Sequence, residues 1–151
     1  MTKKEIQKIL PYGDNFLFLD EVLEIKENEI SAKKKTSFDD FWVKSHFLNF
    51  PIMPGCLIVE GMAQTGTVLL RKKLNLSRDE DLVLAYFIKG VKFEKPVFPG
   101  DEILYKVRLL GIYGPISRFV GETFVKDERK CIARWECFTI KKEEFLKKYQ
   151  K

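Results

Sequence analysis

The sequence predicts an α+β fold: an antiparallel β-sheet wrapped around one long central α-helix. The segment from Cys56 to about Lys73 would carry apolar or small residues nearly all the way round a helix, so this helix is expected to be buried. Two strand-like segments precede it and four follow it, which favours a helix packed on an antiparallel sheet. One sheet covers only part of such a helix. We therefore expect a second copy of the chain to cover the rest, as in the common two-fold dimers.

The first elements are predicted to be a short helix and a β-hairpin. Thr2 and Glu5 form a capping-box pattern for a helix that ends by Pro11. The apolar run FLFLDEVLEI, residues 16–25, predicts a strand. The polar stretch KENE then turns the chain into a second strand near residues 30–38.

The central helix has recognisable ends. Pro54 and Gly55 open it, because a Pro-Gly step followed by an apolar run is typical of a helix start. Arg71, Lys72 and Lys73 lie in the last turn, where positive charges interact favourably with the helix dipole.

The second half of the chain is predicted to consist of strands joined by turns. LVLAYFI is a strand at residues 82–88, and KPVFPGD is a turn at residues 95–101. KDERK, residues 126–130, is the expected turn of a hairpin. The three remaining strands are expected near residues 102–112, 117–126 and 131–140.

Length and composition favour one domain, residues 1–151, with 45% hydrophobic residues to form a core. The N-terminal stretch has no apolar core of signal-peptide length and no long apolar run indicates a membrane span, so we expect a cytoplasmic protein without membrane insertion. Cys56, Cys131 and Cys137 match neither a disulfide framework nor a metal-ligand spacing. Buried reduced thiols and no metal site are therefore expected.

The net charge of +5 is spread over short basic blocks. Such blocks without a nucleic-acid-binding motif give no support for a nucleic-acid partner, whereas an acidic protein or a phosphate-bearing substrate fits them. The blocks are Lys33 to Lys35, Arg71 to Lys73, Lys92 with Lys95, and the lysine-rich C-terminal tail.

The candidate site lies in SHFLNFPIMPGCLIVEGMAQ, residues 45–64. His46 is the only histidine in the sequence and is the natural general base, because imidazole accepts a proton near neutral pH. A proline-containing loop follows it and leads to Gly55. There the first helix amides have no partner in the helix, and glycine leaves room for a ligand, so these amides are suited to a developing oxyanion.

Glu60 is a carboxylate in an apolar part of the helix. Burial raises the pKa of a carboxyl and keeps more of it protonated, which suits a general acid. Gln64 follows four residues later on the same helix face and is expected to hold it by a hydrogen bond. A buried carboxyl with a purely structural role is the alternative reading. Cys56 is read as a packing residue rather than a nucleophile.

A base, oxyanion donors and an acid together suit proton removal next to a carbonyl and protonation of a β-leaving group such as hydroxyl. The residues alone leave open whether His46 and Glu60 meet within one chain or between two, since the extended intervening loop spans ~25–30 Å.

Three stretches resemble the β-hydroxyacyl-acyl-carrier-protein dehydratases of the FabZ type, which have the hot-dog fold. They are HF at His46, PIMPGCLIVEGMAQ from Pro51, and VKFEKPVFPGDEI from Val91, with a weaker similarity in LPYGDNFLFLDEVLEI from Leu10. Together they cover nearly the whole chain in the order found in the family.

The resemblance implies a homodimer, often assembled into a hexamer as a trimer of dimers, with His46 of one chain meeting Glu60 of the other. It implies that Gly55 polarises a thioester carbonyl, that Ile52 offers its backbone carbonyl to the histidine and that Gln64 supports the glutamate. The implied substrate is a 3-hydroxyacyl chain on the phosphopantetheine of acyl carrier protein, with no separate cofactor.

The sequence also departs from the FabZ pattern. Tyr12 and Gly13 follow Pro11 where the family has Pro-His-Arg, and Leu48 and Asn49 follow His46-Phe47 where it has Pro-Gly. This loop is similar to FabA-type dehydratase-isomerases, yet those carry aspartate at the position of Glu60. Acyl length, pathway and isomerase activity are left open. The alternatives are a hot-dog acyl-thioesterase and a non-catalytic acyl-carrier-binding subunit.

Overall fold

The computed structural model describes residues 1–150, and the six strands among them form one antiparallel sheet in the order β1-β2-β4-β5-β6-β3. This confirms the predicted α+β class. In chain order the elements are α1 (Lys3–Gln7), a 3₁₀ turn (Asp14–Phe16), β1 (Glu21–Ile25), β2 (Glu29–Lys35), α2 (Gly55–Leu74), β3 (Asp81–Phe93), β4 (Glu102–Tyr113), β5 (Ile116–Val125), β6 (Glu128–Lys141) and α3 (Lys142–Tyr149).

The predicted capping box is present at α1. The Thr2 hydroxyl accepts a hydrogen bond from the Glu5 amide, and the Glu5 carboxylate accepts one from the Thr2 amide at 2.7 Å. This short helix ends at Gln7, four residues before Pro11. Its buried Ile6 anchors it to the core.

The predicted first strand begins too early. Residues 17–19 have no regular secondary structure, Asp20 lies in a bend with its amide bonded to the Lys33 carbonyl at 2.8 Å, and β1 starts at Glu21. The amide of Phe18 donates instead to the side chain of Gln64 on α2. The apolar run therefore serves helix packing as well as strand pairing, which its composition alone does not distinguish.

The central helix is confirmed, beginning at Gly55 after the cap residue Pro54 and ending at Leu74. Asn75 closes it in the left-handed conformation, with φ 50°. The helix packs against the sheet, and its residues in the core include Met62, Val68, Leu69 and Leu70. Arg71 is buried with them, so the predicted basic block at residues 71–73 is only partly a surface feature.

β3 is longer than predicted and forms one edge of the sheet. It pairs with β6 on one side, with two register irregularities. Three consecutive large side chains, Tyr86, Phe87 and Ile88, are each more than half exposed. Because neighbouring strand residues point to opposite faces, both faces of this segment are uncovered in the single chain.

The C-terminal hairpin and helix complete the fold. β5 and β6 are joined by a two-residue turn at Lys126 and Asp127, inside the predicted KDERK turn. The chain then continues into α3, which the sequence analysis treated only as a lysine-rich tail. All residues of α3 except Phe145 are exposed.

Candidate functional site

His46 is held in place by its own loop. Its amide donates to the carbonyl of Trp42 at 2.8 Å, and its Nδ1 lies 2.9 Å from the carbonyl of Ile52. Trp42 is buried, which anchors the loop in the core. A carbonyl oxygen only accepts, so Nδ1 carries the proton in this contact and Nε2 is the nitrogen left to accept one. The geometry matches the role expected for Ile52.

Gly55 is the first residue of α2, as predicted. The carbonyl of Pro54 accepts from the amides of Leu57 and Ile58 at 2.9 and 3.4 Å. Among the described residues no acceptor reaches the amides of Gly55 and Cys56. These amides and the positive end of a 20-residue helix form a donor site for an oxyanion.

Glycine is required at position 55 by a close aromatic contact. A Cβ built there would lie 2.6 Å from Cε1 of Phe93, the last residue of β3. Any larger residue would displace this ring. The sequence analysis did not identify Phe93 as part of the site, because the contact joins residues 38 positions apart.

His46, Ile52 and Gly55 line one cavity of about 590 Å³. Phe47, which stacks on the His46 ring with centroids 4.3 Å apart, and Phe93 contribute to its apolar surface. The charged residues of the lining are Glu94 and Lys95. The cavity thus offers a base nitrogen and an amide donor pair to an apolar ligand with one polar reacting group.

Cys56 also lines this cavity and is exposed, whereas Cys131 and Cys137 are buried. The prediction of a buried packing role is therefore wrong for Cys56. Burial raises the pKa of Cys131 to about 11 and that of Cys137 to about 12, as expected for inert core thiols.

Glu60 lies half-buried on the next turn of α2, beside the segment at residues 16–18. Gln64 donates from Nε2 to Glu60 Oε1 at 3.0 Å, so the predicted pair is present. The same Nε2 donates to the carbonyl of Phe16 at 2.8 Å, and Oε1 of Gln64 accepts from the Phe18 amide at 2.9 Å. Gln64 is 1% exposed, and these three hydrogen bonds fix the orientation of its side-chain amide.

The electrostatics of Glu60 follow from this setting. Burial raises the pKa of its carboxyl above the ordinary value, and the Gln64 hydrogen bond opposes part of that rise. Burial raises the pKa of the Tyr12 phenol, and the nearby charge of Glu60 raises it further. Tyr12, Phe16 and Phe18 form an aromatic row with edge-to-face contacts at 5.8 and 5.4 Å.

Glu60 does not lie in the wall of the His46 cavity. It follows Gly55 by five positions, a rotation of about 140° around the helix. The single chain therefore brings His46, Ile52 and Gly55 together, and places Glu60 and Gln64 at a second location on the same helix.

Two absences concern the described part of the chain. Within residues 1–150 no cluster of three or more His, Cys, Asp or Glu side chains is arranged to hold a metal ion. None of the helices in this range has both the length and the apolar character needed to span a bilayer.

Comparisons with known proteins agree with this architecture. A family model described as a FabA-like domain matches residues 10–136. The 3-hydroxyacyl-[acyl-carrier-protein] dehydratase FabZ of Petrotoga mobilis is 44% identical over 129 residues, covering 85% of this chain and 90% of the relative. The FabZ of Koribacter versatilis is 37% identical over 134 residues, covering 88% and 85%.

Solved structures show the same fold at low identity. The dehydratase heterocomplex ApeI:P of Xenorhabdus doucetiae aligns with a TM-score of 0.79 and 22% identity, covering 97% of both chains. A mutant of the thioesterase PA1618 of Pseudomonas aeruginosa aligns with a TM-score of 0.68 and 9% identity, covering 91% and 93%. The hot-dog fold is common to dehydratases and thioesterases, so these likenesses establish the fold and not the reaction.

Proposed function

This chain belongs to the FabA-like family, with curated FabZ dehydratases among its relatives, and from that premise we propose that it is a 3-hydroxyacyl-acyl-carrier-protein dehydratase. It converts the (3R)-hydroxyacyl thioester to the trans-2-enoyl thioester and water. The observation that carries the proposal is the cavity in which the free Nε2 of His46 shares a wall with the unpaired amides of α2.

Proton removal is the first part of the proposed reaction. The thioester oxygen accepts hydrogen bonds from the amides at Gly55 and Cys56, which stabilises negative charge on that oxygen. His46 Nε2 then takes a proton from the carbon next to the carbonyl. The Ile52 carbonyl keeps the other ring nitrogen protonated and stabilises the imidazolium that forms.

Loss of the hydroxyl completes the reaction. Glu60 donates its proton to the hydroxyl oxygen as the carbon–oxygen bond breaks, the electron pair forms the carbon–carbon double bond, and water leaves. The raised pKa of Glu60 supports this role, because it increases the protonated fraction. Transfer of a proton from the His46 imidazolium to the Glu60 carboxylate then restores the starting protonation state of both residues. The proposed step draws on the substrate and on this chain's residues, without a cofactor.

We infer that the acid comes from a partner subunit. The stripe of α2 that the sheet leaves least covered runs through Cys56, Glu60 and Ala63, at the spacing of one helix face. The edge strand β3 ends at Phe93, which lines the cavity. Pairing two chains through β3 would bury both features and bring each Glu60 toward the partner's cavity.

The proposed carrier is an acidic acyl carrier protein that delivers the substrate on a phosphopantetheine arm. Lys95 lines the His46 cavity and pairs with Glu128, and Lys92, three residues earlier, pairs with Glu94 at 3.5 Å. These two lysines are the proposed contacts for the acidic carrier, which would compete with the carboxylates of this chain. A homodimer is the smallest assembly that satisfies the shared site, and a trimer of such dimers is the larger assembly we propose.

The direct test is an assay of the purified protein against a ladder of 3-hydroxyacyl-acyl-carrier-protein substrates, with products identified by mass. Enoyl thioester is the expected product, and the ladder also reports the preferred acyl length. Release of free acid and thiol would identify a thioesterase instead. Binding of the carrier without turnover of any substrate would identify a non-catalytic subunit, and either outcome overturns the proposal.

Two alanine variants test the assigned roles. His46→Ala removes the base and Glu60→Ala removes the acid, and each is expected to lower kcat by at least about 10²-fold because general acid–base steps contribute that much. Glu24→Ala, an exposed carboxylate on β1, is the control and should retain full activity. Near-normal turnover in either site variant, with the fold intact by circular dichroism, would refute its role.

Mixing the two inactive variants tests whether the site is shared. A heterodimer of His46→Ala and Glu60→Ala chains has one site with both defects and one intact site. After random subunit exchange about a quarter of all sites should be active. An absence of activity despite exchange confirmed by native mass spectrometry would place both residues in the same subunit's site.

A further inference from the structure

Among the three glycines of α2, Gly61 has the tightest contact with the sheet. An ideal Cβ built on Gly61 would lie 2.2 Å from the hydroxyl oxygen of Tyr105 and 2.3 Å from its Cζ. Contacts that short do not occur between real atoms, so the helix backbone at this turn rests directly on the end of the tyrosine ring. Only a hydrogen atom fits at position 61 while Tyr105 keeps its present place.

Tyr105 cannot move aside easily. It is 0% exposed on the inner face of β4, and its register neighbours on β2 and β5 are Ala32 and Thr123, both fully buried. These small residues leave the space that the ring fills. The tyrosine side chain therefore extends from the sheet to the helix and is held in a fixed position.

The Tyr105 hydroxyl has no hydrogen-bond partner among residues 1–150. A buried hydroxyl without a partner loses stability relative to water, by roughly 1–3 kcal/mol in other proteins. Because the hydroxyl forms no hydrogen bond, its contribution to the contact with Gly61 is steric. The ring carbon Cζ makes a contact of nearly the same length.

The contact lies in the same turn of α2 as the proposed acid. Gly61 follows Glu60 in the helix, and the Glu60 partner Gln64 is one turn further on. A second glycine on the same helix, Gly66, also faces the sheet, but a Cβ there would lie 3.2 Å from Phe119 and 3.3 Å from Trp135. Gly66 therefore has no contact as short as that of Gly61, and the short contact of Gly55 is with Phe93, which is 54% exposed rather than buried.

We propose that Tyr105 and Gly61 form a size-matched pair that fixes the height of α2 above the sheet at Glu60. Tyr105 is thereby a positioning residue for the Glu60 carboxyl. This inference rests on the proposed function of Glu60 and adds a residue on β4 that does not line the His46 cavity.

Gly61→Ala tests the pair, because the added methyl group must lift this turn of the helix. An error of about 1 Å in placing a catalytic group costs up to about 10²-fold in rate. We therefore expect kcat to fall by at least about tenfold with KM nearly unchanged. The alkaline limb of the kcat pH profile, assigned to Glu60, should shift as the carboxyl changes its burial.

Variants at Tyr105 separate ring size from the hydroxyl. Tyr105→Phe keeps Cζ and should retain near-normal kcat, and it should not rescue Gly61→Ala. Tyr105→Leu removes the ring that contacts Gly61. As a single variant it should lower kcat, and combined with Gly61→Ala it should restore most of the activity. Loss of activity in Tyr105→Phe, or the absence of rescue in the Leu double variant, would overturn the size-matched pair.

Gly66→Ala is the matched control, since it adds the same methyl group to the same helix five positions further on, where it also meets side chains of the sheet. It should lower thermal stability and leave kcat and the pH profile unchanged. An equal loss of kcat in Gly66→Ala and Gly61→Ala would show a general packing effect and contradict the proposal. If Gly61→Ala does not fold, Tyr105→Leu alone still tests whether removing the Tyr105 ring lowers kcat.

A readout independent of turnover separates this inference from the proposed function. The Glu60 carboxyl can be titrated by NMR in ¹³C-glutamate-labelled protein, with Glu60→Gln to assign its signal. A pKa that shifts in Gly61→Ala but not in Gly66→Ala supports the positioning role even if no hydroxyacyl substrate is turned over. Turnover by the wild type with neither kcat nor this pKa changed in Gly61→Ala overturns the inference alone.

Discussion

Gln64 shows how one side chain joins distant parts of the chain. It is a buried amide that binds the Glu60 carboxyl, the Phe16 carbonyl and the Phe18 amide. The i,i+4 spacing on a helix predicted the first of these contacts. The other two join residues more than 40 positions apart, so local pattern could not predict them.

Replacing Gln64 by leucine should change both stability and pH dependence. It leaves the Phe18 amide and the Phe16 carbonyl unpaired, which should reduce the free energy of unfolding by about 1–3 kcal/mol in urea melts. The lost donor had stabilised the charged carboxylate, so the pKa of Glu60 rises further above its ordinary value. Because Glu60 acts in its protonated form, the alkaline limb of the kcat profile should move to higher pH.

Thr65→Val is the matched control for this prediction. It removes a buried hydroxyl that donates to the Gly61 carbonyl at 2.7 Å in the same helix, and leaves the Glu60 partner in place. It should cost stability without moving the pH profile. A shift of the alkaline limb to lower pH in Gln64→Leu would contradict the assigned protonation state.

At the scale of elements, the prediction succeeded where one physical requirement dominated. The helix from Gly55 to Leu74 followed from an all-round apolar surface bounded by a Pro-Gly start. β3 was predicted too short, because Lys89, Gly90 and Lys92 interrupt the apolar pattern on a strand that is uncovered on both faces. α3 was missed because an eight-residue surface helix leaves little apolar periodicity.

Arg71 connects the end of α2 to the start of β3. Its guanidinium donates to the carbonyls of Ser77 and Asp81 at 2.7 and 2.8 Å, although the side chain lies in the core. Arg71→Met keeps the apolar stem and removes both hydrogen bonds, while the Ser77 carbonyl still accepts from the Asp81 amide at 3.2 Å. Since hydrogen bonds to charged groups contribute about 1.5–3 kcal/mol, we expect a loss of that size in the free energy of unfolding.

The neighbouring Lys72 provides the control for Arg71. It is exposed in the same helical turn, so Lys72→Met should change stability by less than about 0.5 kcal/mol. Equal melting curves for Arg71→Met and the wild type would show that the connection between α2 and β3 does not depend on this side chain.

At the scale of the molecule, the sequence predicted the parts of the site better than their assembly. His46, Ile52 and Gly55 lie together because a short loop joins them. Glu60 does not line this cavity, although it lies on the same helix face as Cys56, which does. No pattern within one chain specifies the approach of a second chain, so the shared site stays a prediction of the resemblance.

A charge at the centre of β3 should separate the subunits. Ile88 is 53% exposed on the uncovered edge strand, and a two-fold axis through this strand places it near its own copy. Ile88→Lys introduces like charges there, so light scattering should show a smaller species and kcat should fall with it. Leu110→Lys, at 45% exposure on β4, is the control and should leave both mass and activity unchanged.

β3 takes part both in the site and in the proposed contact between subunits. Its last residue, Phe93, packs on Gly55, and its exposed centre is the proposed contact between subunits. A strand that supports the oxyanion donors and also joins the chains makes catalysis depend on mass action. Dilution of such a dimer would lower its specific activity while each separated chain kept its fold.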